Sequence, residues 1–182
     1  MYIRPLSVSD GPEVFEMLQR IGPKENEFTN EVNGMSYNEF KKWLVTQKQW
    51  EHGDSLPTGY VRQWTYWFYD MEEPIGYGKL RERLTEKSRN IGGNIGYAIA
   101  SDRRGKGYGY ILFKMLLNEA QFLGISEVMS TVEKNNPASK RIQEKCGGKL
   151  IKETEERWYF SFDEALREDK EGGKNVLHRS EG

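Results

Sequence analysis

The sequence predicts an α+β domain, and the type and order of its apolar segments carry this prediction. Some segments place apolar residues at helical spacing, whereas others are short β-branched or aromatic runs bounded by turn residues. In chain order these segments read β, α, α, β, β, β, α, β, α, β, β. The chain has 182 residues, enough for one domain with a buried core, and we assign residues 1–162 to that domain.

The chain begins with one strand and two helices. The strand is Tyr2 to Leu6, and Asp10 with Glu13 has the spacing of a capping box at the start of the first helix. Ser36 with Glu39 repeats that signal for the second helix. The apolar faces are Val14, Phe15, Leu18 and Ile21 in the first helix, and Tyr37, Phe40, Trp43 and Leu44 in the second. Polar loops are expected over residues 22–34 and 47–59.

Three strands are predicted in the middle of the chain. The first two are Trp64 to Tyr69 and Ile75 to Arg83, joined by a turn over Asp70 to Pro74. A connection over residues 84–93 leads to the third, Ile95 to Ala100.

The second half of the chain alternates helices and strands. A helix is expected to run to Phe122 and to end at Gly124, followed by a strand over Glu127 to Val132. After a short helix, Lys149 to Glu155 and Trp158 to Phe162 are expected to close the domain as a hairpin.

A glycine-rich segment connects the strand Ile95 to Ala100 with the following helix. It reads Arg104-Gly105-Lys106-Gly107-Tyr108-Gly109. Glycines let the backbone approach an anion, the N–H groups of the first helical turn point at it, and the helix dipole favours negative charge there. The segment lacks the P-loop pattern, and the third glycine of a dinucleotide fingerprint would fall at Tyr110. A basic surface turn that caps a helix is the alternative interpretation.

A second motif lies about one helix and one strand further on. Asn136-Pro137-Ala138-Ser139 precedes a short charged segment that ends in Cys146-Gly147-Gly148. Asn136 can cap a short helix, Pro137 fits its first turn, and Gly147 suits its C-terminal end. Alone, this pattern also fits an ordinary capped helix.

Together the two motifs resemble those of the GCN5-related N-acetyltransferases (GNAT), which bind acetyl-CoA. The first is similar to the Arg-x-x-Gly-x-Gly pyrophosphate loop of that family, through Arg104, Gly107 and Gly109. The second is similar to its Asn-x-x-Ala/Ser segment followed by Glu-Lys-x-Gly, through Asn136, Ser139, Glu144, Lys145 and Gly147. The upstream strands resemble a bacterial branch of predicted acetyltransferases whose acceptors are unassigned.

This resemblance implies the acyl-CoA N-acyltransferase fold, a central mixed and mostly antiparallel sheet with helices on both faces. Two strands of that fold splay apart, here Ile95 to Ala100 and Glu127 to Val132, and the pantetheine arm of acetyl-CoA lies between them. The implied cofactor-binding residues are Tyr97, Ala98, Ile99, Arg104, Gly105, Lys106, Gly107, Tyr108, Gly109, Asn136 and Ser139.

The implied function is transfer of an acetyl group from acetyl-CoA to a primary amine of an unidentified acceptor, a small molecule or a peptide or protein. Many family members place a tyrosine, which protonates the leaving thiolate, seven residues after the motif asparagine; here that residue is Gln143. A non-catalytic acyl-CoA-binding or sensing module of the same fold is therefore the alternative, and an interaction domain without a ligand is a third interpretation.

A carboxylate or a water molecule must take the proton of the attacking amine. Glu82 is the candidate on the strand before the cofactor strand, although it also reads as a solvated charge between Arg81 and Arg83. Glu133 is a second candidate. Residues 47–67 and the region around Glu82 are expected to line the acceptor site. Cys146 has no histidine near it in the sequence and is expected to be structural.

Composition limits the other functions. Lys and Arg total 27 and Asp and Glu total 28, so no net charge favours nucleic acid or an anionic membrane. The sequence has no apolar run of transmembrane length and no signal-peptide pattern. Its single cysteine suits the cytoplasm, and its two histidines lie far apart, so we expect no metal site.

Two further expectations concern assembly and the C-terminus. The resemblance makes a homodimer possible, because many relatives pair. Residues 163–182 are polar and charged, and we expect them to form a flexible tail that is dispensable for CoA binding.

Overall fold

The structure is a computed structural model that describes residues 1–26 and 28–163. Its strands are β1 (Tyr2–Pro5), β2 (Lys24–Glu25), β3 (Phe28–Thr29), β4 (Gln63–Asp70), β5 (Glu73–Arg81), β6 (Ile95–Ile99), β7 (Met129–Glu133), β8 (Lys149–Glu153) and β9 (Arg157–Ser161). Its α-helices are α1 (Pro12–Gln19), α2 (Tyr37–His52), α3 (Glu86–Asn90), α4 (Tyr108–Phe122) and α5 (Pro137–Lys145). The predicted tail, apart from Asp163, lies outside the described residues.

The strands form two main antiparallel sheets, which confirms the predicted α+β class. One sheet has the order β1-β4-β5-β6 and the other has the order β7-β9-β8. Strands β6 and β7 are therefore the facing edges of the two sheets. A bridge between Gly93 and Ser130 joins these edges, and Asn94 N donates to Met129 O at 2.7 Å. Beyond this point β6 pairs with β5 alone in the described sheet, so its outer edge is open.

Helices cover both faces of the four-stranded sheet because side chains of successive strand residues point to opposite faces. Phe68 and Leu80 pack with helix α4 in one core, and Trp67 and Tyr77 pack with helices α1 and α2 in another. The approach to α4 is close: a Cβ at Gly78 would lie 2.4 Å from Leu116 Cδ1. Helix α4, which begins within the glycine-rich segment, is thus held firmly against the sheet.

The predicted start of α1 was wrong in its detail. The N-cap is Gly11, and no side chain caps the helix. The Asp10 carboxylate instead accepts hydrogen bonds from the Trp67 indole N–H at 2.5 Å and from Ser7 N at 2.8 Å, and it pairs with Arg4 at 2.7 Å. Asp10 therefore belongs to a buried tertiary network and does not cap the helix, contrary to the prediction from local spacing. The box formed by Ser36 and Glu39 is confirmed at the start of α2.

Three segments expected to be loops contain regular structure. The hairpin β2–β3 lies within residues 22–34, helix α2 continues to His52, and α3 lies within residues 84–93. Helix α2 ends where Gly53 adopts a left-handed conformation with φ of 87°. Strand β5 ends at Arg81 rather than Arg83, and β7 is shifted to Met129–Glu133.

Candidate functional site

A cavity of about 880 Å³ lies between the two sheet edges and continues over the face of β5. One end is formed by the glycine-rich segment and the N-terminus of α4. The middle is formed by β6, β7 and α5. The far end is formed by β5, the β2–β3 hairpin and the segment around Tyr60. The cavity therefore joins the two sequence motifs to a third region that neither motif includes.

The glycine-rich segment leaves the start of α4 open. Gly105 and Gly107 line the cavity with φ of +78° and +80°, a conformation that favours glycine. Gly107 is the N-cap of α4, and no side chain caps the helix. A Cβ at either glycine would have no atom within 4 Å, so no described protein atom crowds the N-terminus of the helix at these two positions. The helix dipole and the N–H groups of the first turn point into that space.

The charged residues of this segment take different positions. Arg104 lines the cavity, and its Nε donates to Ile99 O at 3.0 Å, which ties the segment to the end of β6. Lys106 is exposed and is not part of the cavity wall. Tyr108 lines the cavity, and its hydroxyl donates to Asp70 Oδ2 at 2.8 Å. Arg104 thus lies where it can assist an anion at the helix terminus directly.

The two sequence motifs meet at Tyr97. Its hydroxyl and Ser139 Oγ lie 3.0 Å apart, and Asn136 Oδ1 accepts a hydrogen bond from Ser139 N at 3.1 Å, capping α5. A Cβ at Gly109 would lie 3.1 Å from Ile142 Cδ1 and 3.4 Å from the Tyr97 ring, so glycine lets α4 approach Ile142 of α5 closely beside this ring. Burial raises the pKa of Tyr97 to about 12. The phenol is therefore neutral at physiological pH, and Tyr97, Ser139 and Asn136 all line the cavity.

Gln143 also lies on the cavity wall, with 1% of its surface exposed. Its Nε2 donates to Ser130 Oγ at 3.0 Å. Its Oε1 is buried and has no hydrogen-bond partner among residues 1–26 and 28–163. A buried polar atom without a partner is rare in folded proteins and often marks a place that a ligand completes.

The predicted catalytic carboxylate, Glu82, does not line the cavity. Glu82 follows the end of β5, its side chain is 39% exposed, and its Oε1 pairs with Arg62 Nη1 at 3.4 Å. It is not part of the cavity wall, whereas Glu31 and Glu133 are. Glu133 pairs with Arg157 at 3.8 Å, and Glu31 accepts the Trp43 indole N–H at 2.8 Å.

Sequence reasoning missed Glu31, because it lies in a segment that read only as a polar loop.

The far end of the cavity includes part of one segment that was expected to line the acceptor site. We expected residues 47–67 to line the acceptor site, and Trp50, Gly59, Tyr60, Val61 and Gln63 do line the cavity. Two cations of β5, Lys79 and Arg81, line it as well, and neither belongs to a sequence motif. Cys146 is not part of the wall. Burial raises the pKa of its thiol to about 11, which fits a structural side chain.

Two negative observations apply to the part of the chain that the structure describes. No group of three or more His, Cys, Asp or Glu side chains is arranged to hold a metal ion. None of the helices combines the length and apolar character that crossing a membrane requires.

The chain belongs to the acetyltransferase (GNAT) domain family, whose pattern it matches over residues 1–149. Solved structures of low sequence identity share its fold. FdhC, described as a nucleotide-linked sugar GNAT, is 18% identical, with 97% of this chain and 94% of that chain covered and a TM-score of 0.61. RimL, a ribosomal L7/L12 α-N-protein acetyltransferase in complex with coenzyme A, is 14% identical, with coverage of 87% and 91% and a TM-score of 0.60.

A third structure has a different named acceptor. Mutant forms of the spermidine/spermine N-acetyltransferase SpeG from Vibrio cholerae are 16% identical, with coverage of 92% and 97% and a TM-score of 0.59. Among curated proteins, none matches the chain. The family and the acyltransferase fold that the motifs implied are confirmed, and the named acceptors of the similar structures range from a protein N-terminus to polyamines.

Proposed function

We propose that this protein transfers the acetyl group of acetyl-CoA to a primary amine of an acceptor that binds at the far end of the cavity. The open N-terminus of α4 carries this proposal, because it provides an anion site at one end of a cavity that continues between the sheet edges. Membership of the GNAT family and the coenzyme A complex of RimL support the choice of ligand. The similar solved structures do not identify the acceptor of this protein, because their own named acceptors differ from one another.

In this proposal the diphosphate of acetyl-CoA binds to the backbone N–H groups of residues 104–109. Arg104 and Lys106 add positive charge beside it. The pantetheine arm extends along the open edge of β6, where the backbone of Tyr97, Ala98 and Ile99 can pair with its amides like an added strand. Asn136 and Ser139 hold the opposite wall in place, because Asn136 caps the start of α5 and Ser139 contacts the Tyr97 hydroxyl.

The chemistry requires the amine to attack the thioester carbonyl, the C–S bond to break, and the proton of the amine to leave. Orientation of the two reactants and stabilisation of the carbonyl oxygen supply most of the acceleration for such a reaction. Gln143 cannot act as a general acid, whereas the neutral phenol of Tyr97 can donate a hydrogen bond. We assign the proton to a carboxylate on the cavity wall, with Glu31 favoured over Glu82 because Glu31 lies on that wall.

A panel of amines tests the proposal, with the full-length protein, acetyl-CoA and a thiol reagent that detects free CoA. Acceptor-dependent thiol release, with a mass increase of one acetyl group on the acceptor, is the expected result. Coenzyme A binding by calorimetry without thiol release for any amine would favour the acyl-CoA-binding or sensing module instead. Absence of both binding and turnover would contradict the assignment of the glycine-rich segment. A cytoplasmic location and a homodimer stay predictions.

A further inference from the structure

Lys79 and Arg81 form an unusual pair at the far end of the cavity. They are two residues apart on β5, so their side chains point to the same face of the strand. Both line the cavity, and Lys79 exposes only 7% of its surface. In the sheet register Lys79 lies opposite Gly96 of β6, which immediately precedes Tyr97. The pair is therefore next to the stretch of β6 along which we place the pantetheine arm.

Neither cation has an acidic partner among the described side chains, which are those of residues 1–24, 26 and 28–163. No carboxylate oxygen of these residues lies within the 4.0 Å of an ion pair from Lys79 Nζ or from the Arg81 guanidinium. Lys79 Nζ donates to Thr29 O at 3.1 Å and lies 5.5 Å from the centre of the Phe28 ring. Arg81 Nη1 donates to Gly93 O at 2.9 Å. The hydrogen bonds of both groups are therefore to neutral carbonyl oxygens.

Burial of these charges is costly. Desolvation lowers the pKa of Lys79 and also that of Arg81. The charge of Glu31 acts in the opposite direction and offsets part of this cost, although Glu31 forms no ion pair with Lys79. An apolar side chain of similar volume would normally be more stable than a buried cation without an ion-pair partner. Two such cations side by side on a cavity wall indicate a site that an anion completes.

We propose that the acceptor amine carries a carboxylate or phosphate group, which binds between Lys79 and Arg81 while the amine faces the thioester. This inference rests on the proposed acetyl transfer. It assigns the acceptor to small anionic amines, such as amino acids or phosphorylated amino sugars. It excludes polyamines, whose positive charges the pair would repel. The charge-assisted hydrogen bonds of the anion also repay the desolvation of both cations.

Matched acceptor pairs test this substrate class. Each anionic amine is compared with a neutral counterpart at saturating acetyl-CoA: an amino acid with its carboxamide, and a phosphorylated amino sugar with the free amino sugar. Spermidine is the cationic member of the panel. We expect kcat/KM for one of the anionic members to exceed that of its neutral counterpart by about tenfold or more. The first pair reports a carboxylate and the second a phosphate.

Variants connect the preference to the two cations. Lys79→Met and Arg81→Gln should each reduce the preference by about tenfold, mainly through KM for the acceptor. Arg83→Gln is the matched control, because Arg83 is exposed and is not part of the cavity wall. It removes the same charge two residues further along the chain and should keep the preference. Thermal melts establish that each variant is folded.

A binding measurement separates this inference from the proposed function. With the glycine-rich segment saturated by CoA, inorganic phosphate or succinate should raise the melting temperature of the wild type and of Arg83→Gln, but not of Lys79→Met or Arg81→Gln. If the melting temperatures show this pattern but no amine is turned over, the anion site is supported and the proposed acetyl transfer is not. Turnover of neutral or cationic amines as good as that of anionic ones overturns the inference and leaves acetyl transfer intact. Equal anion stabilisation in all four proteins, or none in any, also overturns it.

Discussion

Gln143 Nε2 donates a hydrogen bond to Ser130 Oγ at 3.0 Å, and this bond joins helix α5 to strand β7 on the cavity wall. The other amide atom, Oε1, is buried without a partner in the described protein. Leaving such an atom unsatisfied costs about 1–3 kcal/mol. An N–H donor from a ligand would remove that cost. Gln143 is thus suited to position a ligand, although it occupies the position at which many family members carry a tyrosine that acts as the general acid.

The first prediction concerns this residue. Gln143→Ala should change kcat by less than about tenfold, or 1.4 kcal/mol of transition-state stabilisation, because no proton transfer depends on the amide. It should lower the free energy of unfolding, since the lost bond to Ser130 Oγ and the lost packing at a buried position together outweigh the removal of the unpaired Oε1. Steady-state kinetics and urea denaturation measure the two effects. A thousandfold loss of kcat with unchanged CoA affinity would show that Gln143 takes part in the reaction itself.

The second prediction concerns the glycine-rich segment. Gly107→Val should weaken acetyl-CoA binding by about tenfold or more, equal to 1.4 kcal/mol, because the side chain occupies the space before α4. Gly124→Val is the matched control: Gly124 also has a positive φ, at +73°, and open space around it, but it lies beyond the other end of α4. Both variants carry similar backbone strain, so only Gly107→Val should lose CoA affinity in calorimetry.

Arg104→Ala should weaken binding less than Gly107→Val, because the backbone N–H groups carry much of the anion binding. Wild-type affinity in a folded Gly107→Val protein would contradict the assignment of this segment.

The sequence predicted the parts of the site that depend on local structure. Gly107 and Asn136 were recognised because a turn and a helix cap need those residue types wherever they occur. Asp10 was misassigned because its partner, Trp67, lies 57 residues away and no local pattern reports it. Lys79 and Arg81 were missed for a related reason. A strand sequence shows that they share a face, but it does not show that this face lines a cavity or that no acid among the described side chains forms an ion pair with them.

The third prediction compares two carboxylates. Glu31→Gln should reduce kcat/KM by about 10²-fold, the lower end of the contribution of general acid–base catalysis, because Glu31 lies on the cavity wall. Glu82→Gln should change it by less than about threefold, since Glu82 pairs with Arg62 away from that wall. Both substitutions remove one negative charge and keep the shape of the side chain. The reverse order of effects, measured from the pH dependence of kcat/KM, would return the role of base to Glu82.

The fourth prediction concerns the dependence of stability on pH. Burial lowers the pKa of Lys79 below its ordinary value of 10.5, so the unfolded chain holds this proton more tightly than the folded protein. Stability contributed by this group therefore rises with pH between the lowered pKa and 10.5, and below that range the full cost of the buried charge is present. Lys79→Met has no such cost. It should be at least as stable as the wild type at pH 7, and its advantage should shrink towards pH 10.

Urea denaturation of both proteins at the two pH values measures this difference, in which the titration of all other groups largely cancels. Lys114→Met is the control, because Lys114 is exposed on α4 and its removal leaves no buried charge to compare. Its stability difference from the wild type should stay nearly constant between the two pH values. An advantage of Lys79→Met that stays constant or grows with pH would mean that the Lys79 charge is already compensated in the folded protein. The anion site between Lys79 and Arg81 would then lose the energetic argument on which it rests.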